Sequence, residues 1–343
     1  MIVLRPTLGL LLLATSACTN PGASSDDLRA TGPASPPAER ASCGTIPSAV
    51  LDEVASFGAN PGKLRMFVHV PAKLAAEPAI VVAMHGCTQD AKAYVGAGWS
   101  DFADALGFVV VYPQQEVANN ANRCFNWYEP AHTTRDAGEA RSIAEMALHA
   151  RRRYGGGRAF VTGLSAGAAM TAVMLATYPD VFEAGAILSG LPYGCADSMV
   201  NAFGCMSPGK TKSPADWASL VTRAHAGGAA PRVQIWHGGA DYTVRPSNLT
   251  ALEQQWTAVN GVPQTPSFTD DVGRAERRVY TDANGEVRVE SFLVAGMSHG
   301  TALGASPDGT RCGARGAFLL DVGVCSTYHA ARFFRLDVAR RCR

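Results

Sequence analysis

From Cys43 onward, apolar runs alternate with amphipathic stretches along the chain. "LRMFVHV" (64–70) alternates apolar and polar positions, which predicts a strand with one exposed face. "AIVVAMHG" (79–86) and "FVVVYPQ" (108–114) are continuous apolar runs, the pattern of strands buried on both faces. "RAFVTGLS" (158–165), "AGAILSG" (184–190), "RVQIWHG" (232–238) and "VRVESFLVAG" (287–296) predict four more strands. Helical patterns lie between them. In "DAGEARSIAEMALHARRRY" (136–154), Asp136 and Glu139 fall in the first turn and three arginines in the last, which suits the helix dipole. "YGGGR" (154–158) precedes a strand and so reads as the stop of that helix, not as a phosphate cradle. Buried strands alternating with helices predict an α/β fold, with a mostly parallel central sheet covered by helices on both faces. Ligands of such sheets sit at the carboxyl ends of the strands.

The first 42 residues follow another pattern. Arg5, the apolar "LGLLLLA" (8–14) and the small residues up to Ala17 predict an export signal over 1–17. Its apolar run is far below the ~20 residues that span a bilayer. Cys18 follows the small residues directly, as at a bacterial lipoprotein cleavage site, although Thr15 stands where that pattern prefers leucine. Two outcomes stay open: Cys18 carries a lipid anchor, or it is lost with the leader. Residues 18–42 are rich in Pro, Ser, Gly and Ala without apolar periodicity and read as a disordered tether. A single catalytic domain is expected over 43–343. The product is expected outside the cytosol: secreted, periplasmic or anchored at the outer membrane.

A hydrophobic content of 47% against 17% charged residues describes a globular protein with a substantial core. A formal net charge of +1 leaves no electrostatic footprint for nucleic acid. The nine cysteines support export, because removing Cys18 leaves eight, an even number in an oxidising compartment. Short loops favour Cys195–Cys205 and Cys312–Cys325. Cys43 and Cys342 lie near the two ends of the domain and are suited to tie them. Cys87 and Cys124 are then left as a pair, with free buried thiols as the alternative. No C-x-x-C pair has a partner pair, so no zinc site is expected.

Chemistry enters at the strand ends. Ser165 lies in "GLSAG" after "AFVT", Asp241 follows "VQIWHGGA", and His299 follows "SFLVAGMS". A hydroxyl is a weak nucleophile at neutral pH and needs a histidine to take its proton. The histidine in turn needs a carboxylate to fix its tautomer. Each residue alone has a bland reading, since the chain holds 35 glycines and turns favour Asp and Ser. Their joint arrival at strand ends, in the order Ser, Asp, His, is the order of an α/β-hydrolase triad. A fourth strand end, "VVAMHGCTQD", predicts the oxyanion loop, with backbone donors at Cys87 (less directly Thr88) and at Ala166. A Cys87–Cys124 bond would bring "RCFNWYEP" (123–130) to the site, with Trp127 and Tyr128 as an apolar platform for substrate. His85 and His237 read as structural, and Trp236 as core.

The chain resembles the polyhydroxyalkanoate (poly(3-hydroxybutyrate)) depolymerase family of esterases. The resemblance rests on "VVAMHGCTQDAKAY", "GWSDFADALGFVVVYPQQ", "NRCFNWY", "VTGLSAGAAMTAVMLATYPDVFEAGAILSGLPYGCA", "IWHGGADYTVRPSN", "MSHGTAL" and "FLLDVGVCSTYHAARFF", from about residue 43 to 336. It implies an exported α/β-hydrolase with its triad on Ser165, Asp241 and His299, an oxyanion donor at Cys87, and no metal or organic cofactor. Related esterases include feruloyl and acetylxylan esterases and enzymes that cleave poly(aspartic acid). Many extracellular polymer depolymerases add a linker and a binding domain, whereas this sequence reads as the catalytic domain alone. The expected activity is hydrolysis of a poly(3-hydroxyalkanoate) or its oligomers through an acyl-enzyme. The rivals are a feruloyl or acetylxylan ester, the amide bonds of poly(aspartic acid), and a non-catalytic surface lipoprotein that only binds polymer.

Overall fold

The apolar runs form the strands expected of them. In the computed structural model, which describes residues 51–224 and 227–336, ten strands make one sheet. In chain order these are β1 (Asp52–Val54), β2 (Arg65–His69), β3 (Ile80–Met84), β4 (Val109–Gln114), β5 (Ala159–Leu164), β6 (Ala184–Leu188), β7 (Arg232–Gly238), β8 (Phe268–Val272), β9 (Ala275–Thr281) and β10 (Val287–Val294). Across the sheet the order is β1-β2-β4-β3-β5-β6-β7-β10-β9-β8. β11 (Thr301–Leu303) and β12 (Leu319–Asp321) pair parallel in a separate ribbon. The six central strands, β4 to β10, run parallel. The flanking pairs at both edges are antiparallel. The sheet is therefore parallel where the site lies and mixed only at its margins.

The helices are α1 (Ala91–Tyr94), α2 (Trp99–Leu106), α3 (Pro130–Thr133), α4 (Gly138–Tyr154), α5 (Ala166–Thr177), α6 (Met199–Met206), α7 (Pro214–Ala224), α8 (Ser247–Val259) and α9 (Ser326–Phe333). They cover both faces of the sheet. Side chains alternate along each strand, so Ile80, Val82 and Met84 join the core under α4, α5 and α8. Val81 and Ala83 join the opposite core, with Trp99 and Phe102 of α2 and Phe333 of α9. Trp236 stacks on Phe292 in that second core, ring centroids 3.8 Å apart, as a core residue should. Every residue of α5 is buried, in keeping with a sequence that is apolar all round.

One helix boundary differs from expectation. α4 begins at Gly138, and Asp136 stands before it at φ 65°. Glu139 does occupy the first turn, but it is buried rather than at the surface. At the other end Gly155 adopts φ 69° and its N–H reaches the Arg151 carbonyl, which is the stop read in "YGGGR".

Among the described residues three disulfides link Cys87–Cys124, Cys195–Cys205 and Cys312–Cys325. They fit an oxidising compartment outside the cytosol. The leader over 1–17, the tether over 18–42, the anchor candidate Cys18 and the Cys43–Cys342 pairing lie outside the described residues.

Candidate active site

Because β3, β5, β6, β7 and β10 run parallel, their carboxyl ends share one rim. Ser165 follows β5 directly, Asp241 lies three residues past β7, and His299 lies five past β10. The serine sits at φ 57°, ψ −116°, a region that a residue with a Cβ enters only at a cost. Its backbone N–H is tied to the Leu188 carbonyl at 3.0 Å. This is the geometry of a sharp strand-to-helix elbow.

The flanking glycines have a steric reason. A Cβ on Gly163 would stand 2.5 Å from the carbonyl of Gly167. One on Gly167 would stand 2.5 Å from the carbonyl oxygens of both Met84 and His85. Glycine at both positions lets α5 start directly against the ends of β5 and β3. The same close packing brings the loop after β3 beside the serine, since a Cβ on Gly86 would lie 3.4 Å from Ser165 Cβ.

Asp241 and His299 are brought together. The Asp241 carboxylate is buried, and Oδ1 accepts the N–H groups of Thr243 and Val244, each at 2.9 Å. Oδ2 lies 2.7 Å from His299 Nδ1. Burial works against ionisation, yet the hydrogen bonds from His299 and Val244 outweigh it. The carboxyl is held below its ordinary value. An ionised carboxylate only accepts, so Nδ1 carries the hydrogen and Nε2 presents a lone pair. No hydrogen bond joins Ser165 Oγ to His299 among the described residues, so that third leg is not formed in this structure.

The two further histidines are structural, as expected. His85 Nδ1–H donates to the Gly86 carbonyl at 2.7 Å, and its Nε2 accepts the Gln115 N–H at 3.1 Å. Burial depresses its pKa to about 4, so the ring is neutral. His237 Nε2–H donates to the Val244 carbonyl at 2.8 Å. Burial lowers its pKa too, which keeps a second cation away from Asp241.

Of the expected oxyanion donors, the Cys87 N–H has no acceptor among the described residues, and the Ala166 N–H lies in the first turn of α5, where no intrahelical acceptor exists. Thr88 is different: its N–H is committed to the Asn122 carbonyl at 2.7 Å. Trp127 and Tyr128 pack edge to face with ring centroids 5.4 Å apart, and both belong to the core. At 8% and 7% exposure they offer a ligand only a narrow edge. Two aromatic groups that sequence reasoning missed are open to solvent here. Tyr242, next to Asp241, is 75% exposed, and the Phe318 ring centroid lies 6.0 Å from that of His299. An exposed aromatic beside a strand-end carboxylate was a readable signal for Tyr242; nothing local marks Phe318.

The family described as "Esterase PHB depolymerase" matches residues 64–280. This chain belongs to that family. As a PHB depolymerase-family esterase it is a carboxylic ester hydrolase with the α/β-hydrolase fold. It is 49% identical over 288 residues to poly(3-hydroxyalkanoate) depolymerase C of Paucimonas lemoignei, covering 83% of this chain and 70% of the relative. It is 35% identical over 268 residues to feruloyl esterase B of Talaromyces stipitatus, covering 74% and 73%. Among solved structures it resembles the acetyl xylan esterase from Aspergillus awamori, with a TM-score of 0.67 and 32% identity over 73% of this chain and 94% of that one.

Proposed function

We propose that this esterase hydrolyses ester bonds of a poly(3-hydroxyalkanoate) or its oligomers through an acyl-enzyme on Ser165. The observation that carries the mechanism is the Asp241–His299 hydrogen bond, on the rim where the serine elbow and two backbone N–H groups unpaired among the described residues also lie. Ser165 Oγ adds to the ester carbonyl carbon while its proton passes to His299 Nε2, a step for which their hydrogen bond must form. The carbonyl oxygen, now an oxyanion, accepts from the N–H groups of Cys87 and Ala166. Collapse breaks the ester C–O bond, and the leaving alkoxide takes the proton from Nε2. Water then repeats the sequence, releases the acid and restores the hydroxyl.

The substrate class follows the 49% identical depolymerase. Tyr242, next in sequence to Asp241, and Phe318, beside His299, supply exposed aromatic surface for an apolar acyl chain. A lipid attached to Cys18 would hold the protein at the outer membrane; without it the enzyme is periplasmic or secreted. A plant cell-wall ester is the second reading, favoured by the feruloyl and acetyl xylan esterase relatives.

The test is substrate release by purified protein and by Ser165→Ala. The wild type should free 3-hydroxyalkanoate from poly(3-hydroxybutyrate) film and oligomers, and label with a fluorophosphonate. The variant should do neither, with a rate loss on the order of 10⁶. Release of ferulate or acetate with no attack on the polyester would favour the second reading. Absence of labelling would remove Ser165 from the mechanism.

A further inference from the structure

Glu139, in the first turn of α4, is fully buried, and no lysine or arginine pairs with it among the described residues. His132 Nδ1 lies 3.5 Å from Oε1. The carboxylate instead gathers three N–H donors. Oε1 accepts from Gln115 Nε2 and from Asn126 Nδ2, each at 2.6 Å. Oε2 accepts the backbone N–H of Asn126 at 2.8 Å.

These donors belong to two arms that meet at the oxyanion loop. On one arm, Gln115 donates its backbone N–H to His85 Nε2 at 3.1 Å, and His85 in turn holds the Gly86 carbonyl at 2.7 Å. On the other arm, Asn126 lies two residues from Cys124, which is bonded to Cys87. Gln115 Nε2 also donates to the Cys124 carbonyl at 3.2 Å, and the His85 ring packs 5.0 Å from Phe125. The residues form a closed circuit, Glu139–Gln115–His85–Gly86–Cys87–Cys124–Asn126, and Glu139 is where it closes.

We propose that Glu139 is a positioning residue for ester hydrolysis, whose carboxylate fixes the place of the Cys87 N–H through both arms of this circuit. The inference rests on the reading of Ser165 and Cys87 given above. A carboxylate suits the role because all three partners are donors. An amide in its place has one acceptor oxygen and turns an NH₂ group toward a donor, leaving buried groups unpaired. An oxyanion donor displaced by a fraction of an ångström stabilises the transition state less while leaving ground-state binding almost unchanged.

The experiment compares wild type with Glu139→Gln, using p-nitrophenyl butyrate for kcat and KM and a trifluoromethyl ketone as probe of the tetrahedral adduct. The variant should lose about 10- to 100-fold in kcat with KM within about 3-fold. Affinity for the ketone should fall by the same factor as kcat/KM. Near-UV circular dichroism and a free-thiol count equal to that of wild type serve to show that the fold persists. If Glu139→Gln does not fold, Asn126→Ala removes one donor and leaves the carboxylate, and the same split should appear at smaller size. An unchanged kcat in the variant that folds, or a loss confined to KM, overturns the inference. A wild type that neither turns over the ester nor binds the ketone overturns the Ser165 reading and this inference with it. An active wild type with an equally active variant overturns this inference alone.

Discussion

His299 Nδ1 stands 2.7 Å from Asp241 Oδ2, the carboxylate oxygen that the Thr243 and Val244 amides leave free. The two amides fix the carboxylate, so its remaining oxygen dictates the imidazole tautomer. Asp241→Asn keeps an oxygen for the amides and turns an NH₂ toward Nδ1. The ring then flips to the other tautomer, with the proton on Nε2, and cannot take one from serine. A fall in kcat on the order of 10⁴ is expected with little change in Tm. Steady-state kinetics and thermal melts check this, and a loss below about 10-fold would remove Asp241 from the proposed triad.

Gly167→Ala tests the packing of the elbow. Its Cβ would meet two backbone carbonyl oxygens at 2.5 Å, and backbone cannot swing aside as a flexible side chain can. The expected cost is about 1–3 kcal/mol, together with lost activity because the Ala166 N–H moves with the helix start. A melting curve that overlays the wild type would show that α5 approaches β3 less closely than described.

The Cys87–Cys124 bond closes a sequence separation of 37 residues. In the chain-entropy model its removal as Cys87→Ser/Cys124→Ser costs roughly 4 kcal/mol. At temperatures where the variant stays folded, kcat should still fall, because one arm to the Cys87 N–H is cut. Removing Cys195–Cys205 gives the control, with stability reduced and kcat retained. Equal kcat losses in the two variants would mean that the first bond has no special tie to the site.

Glu139 also predicts a pH dependence of stability. Burial pushes its carboxyl up from 4.5 to about 7, against the hydrogen bonds from Asn126 and Gln115. Between those values the folded protein holds a proton that the unfolded chain has released, and the three-donor carboxylate described above prevails above about 7. The contribution is fully present below about 4.5 and is lost as pH rises through about 7. Across that window wild type should lose a few kcal/mol relative to Glu139→Gln, which has no such group to titrate. Denaturant titrations at several pH values measure the difference, and parallel curves would contradict it.

The parts legible in the sequence were those with a local signal. Strands β2 to β7 and β10 announced themselves by apolar runs, and Ser165, Asp241 and His299 by following them. β8 and β9 carried no such signal. β8 lies exposed at the sheet edge with two aspartates, and β9 carries Arg277, which pairs with both Asp270 and Glu290. Glu139 was overlooked for a different reason. A glutamate in a first helical turn already has a sufficient local explanation in the helix dipole, which hides that the same residue faces the core. Its partners, Gln115 and Asn126, lie 24 and 13 positions away and become neighbours only when the sheet assembles. Gly167 looked like a turn residue, and its true constraint, the carbonyls at the end of a strand some 80 positions earlier, is tertiary.

The Cys87–Cys124 strap also gives the enzyme a sense of place. A chain still in the reducing cytosol carries the serine, the histidine and the aspartate but not the bond that completes the ring of contacts behind the Cys87 amide. On the proposed mechanism, ester cleavage should therefore be faster in the oxidised chain than in the reduced one. On the proposed reading, a chain that meets esters before this bond forms would be the weaker catalyst.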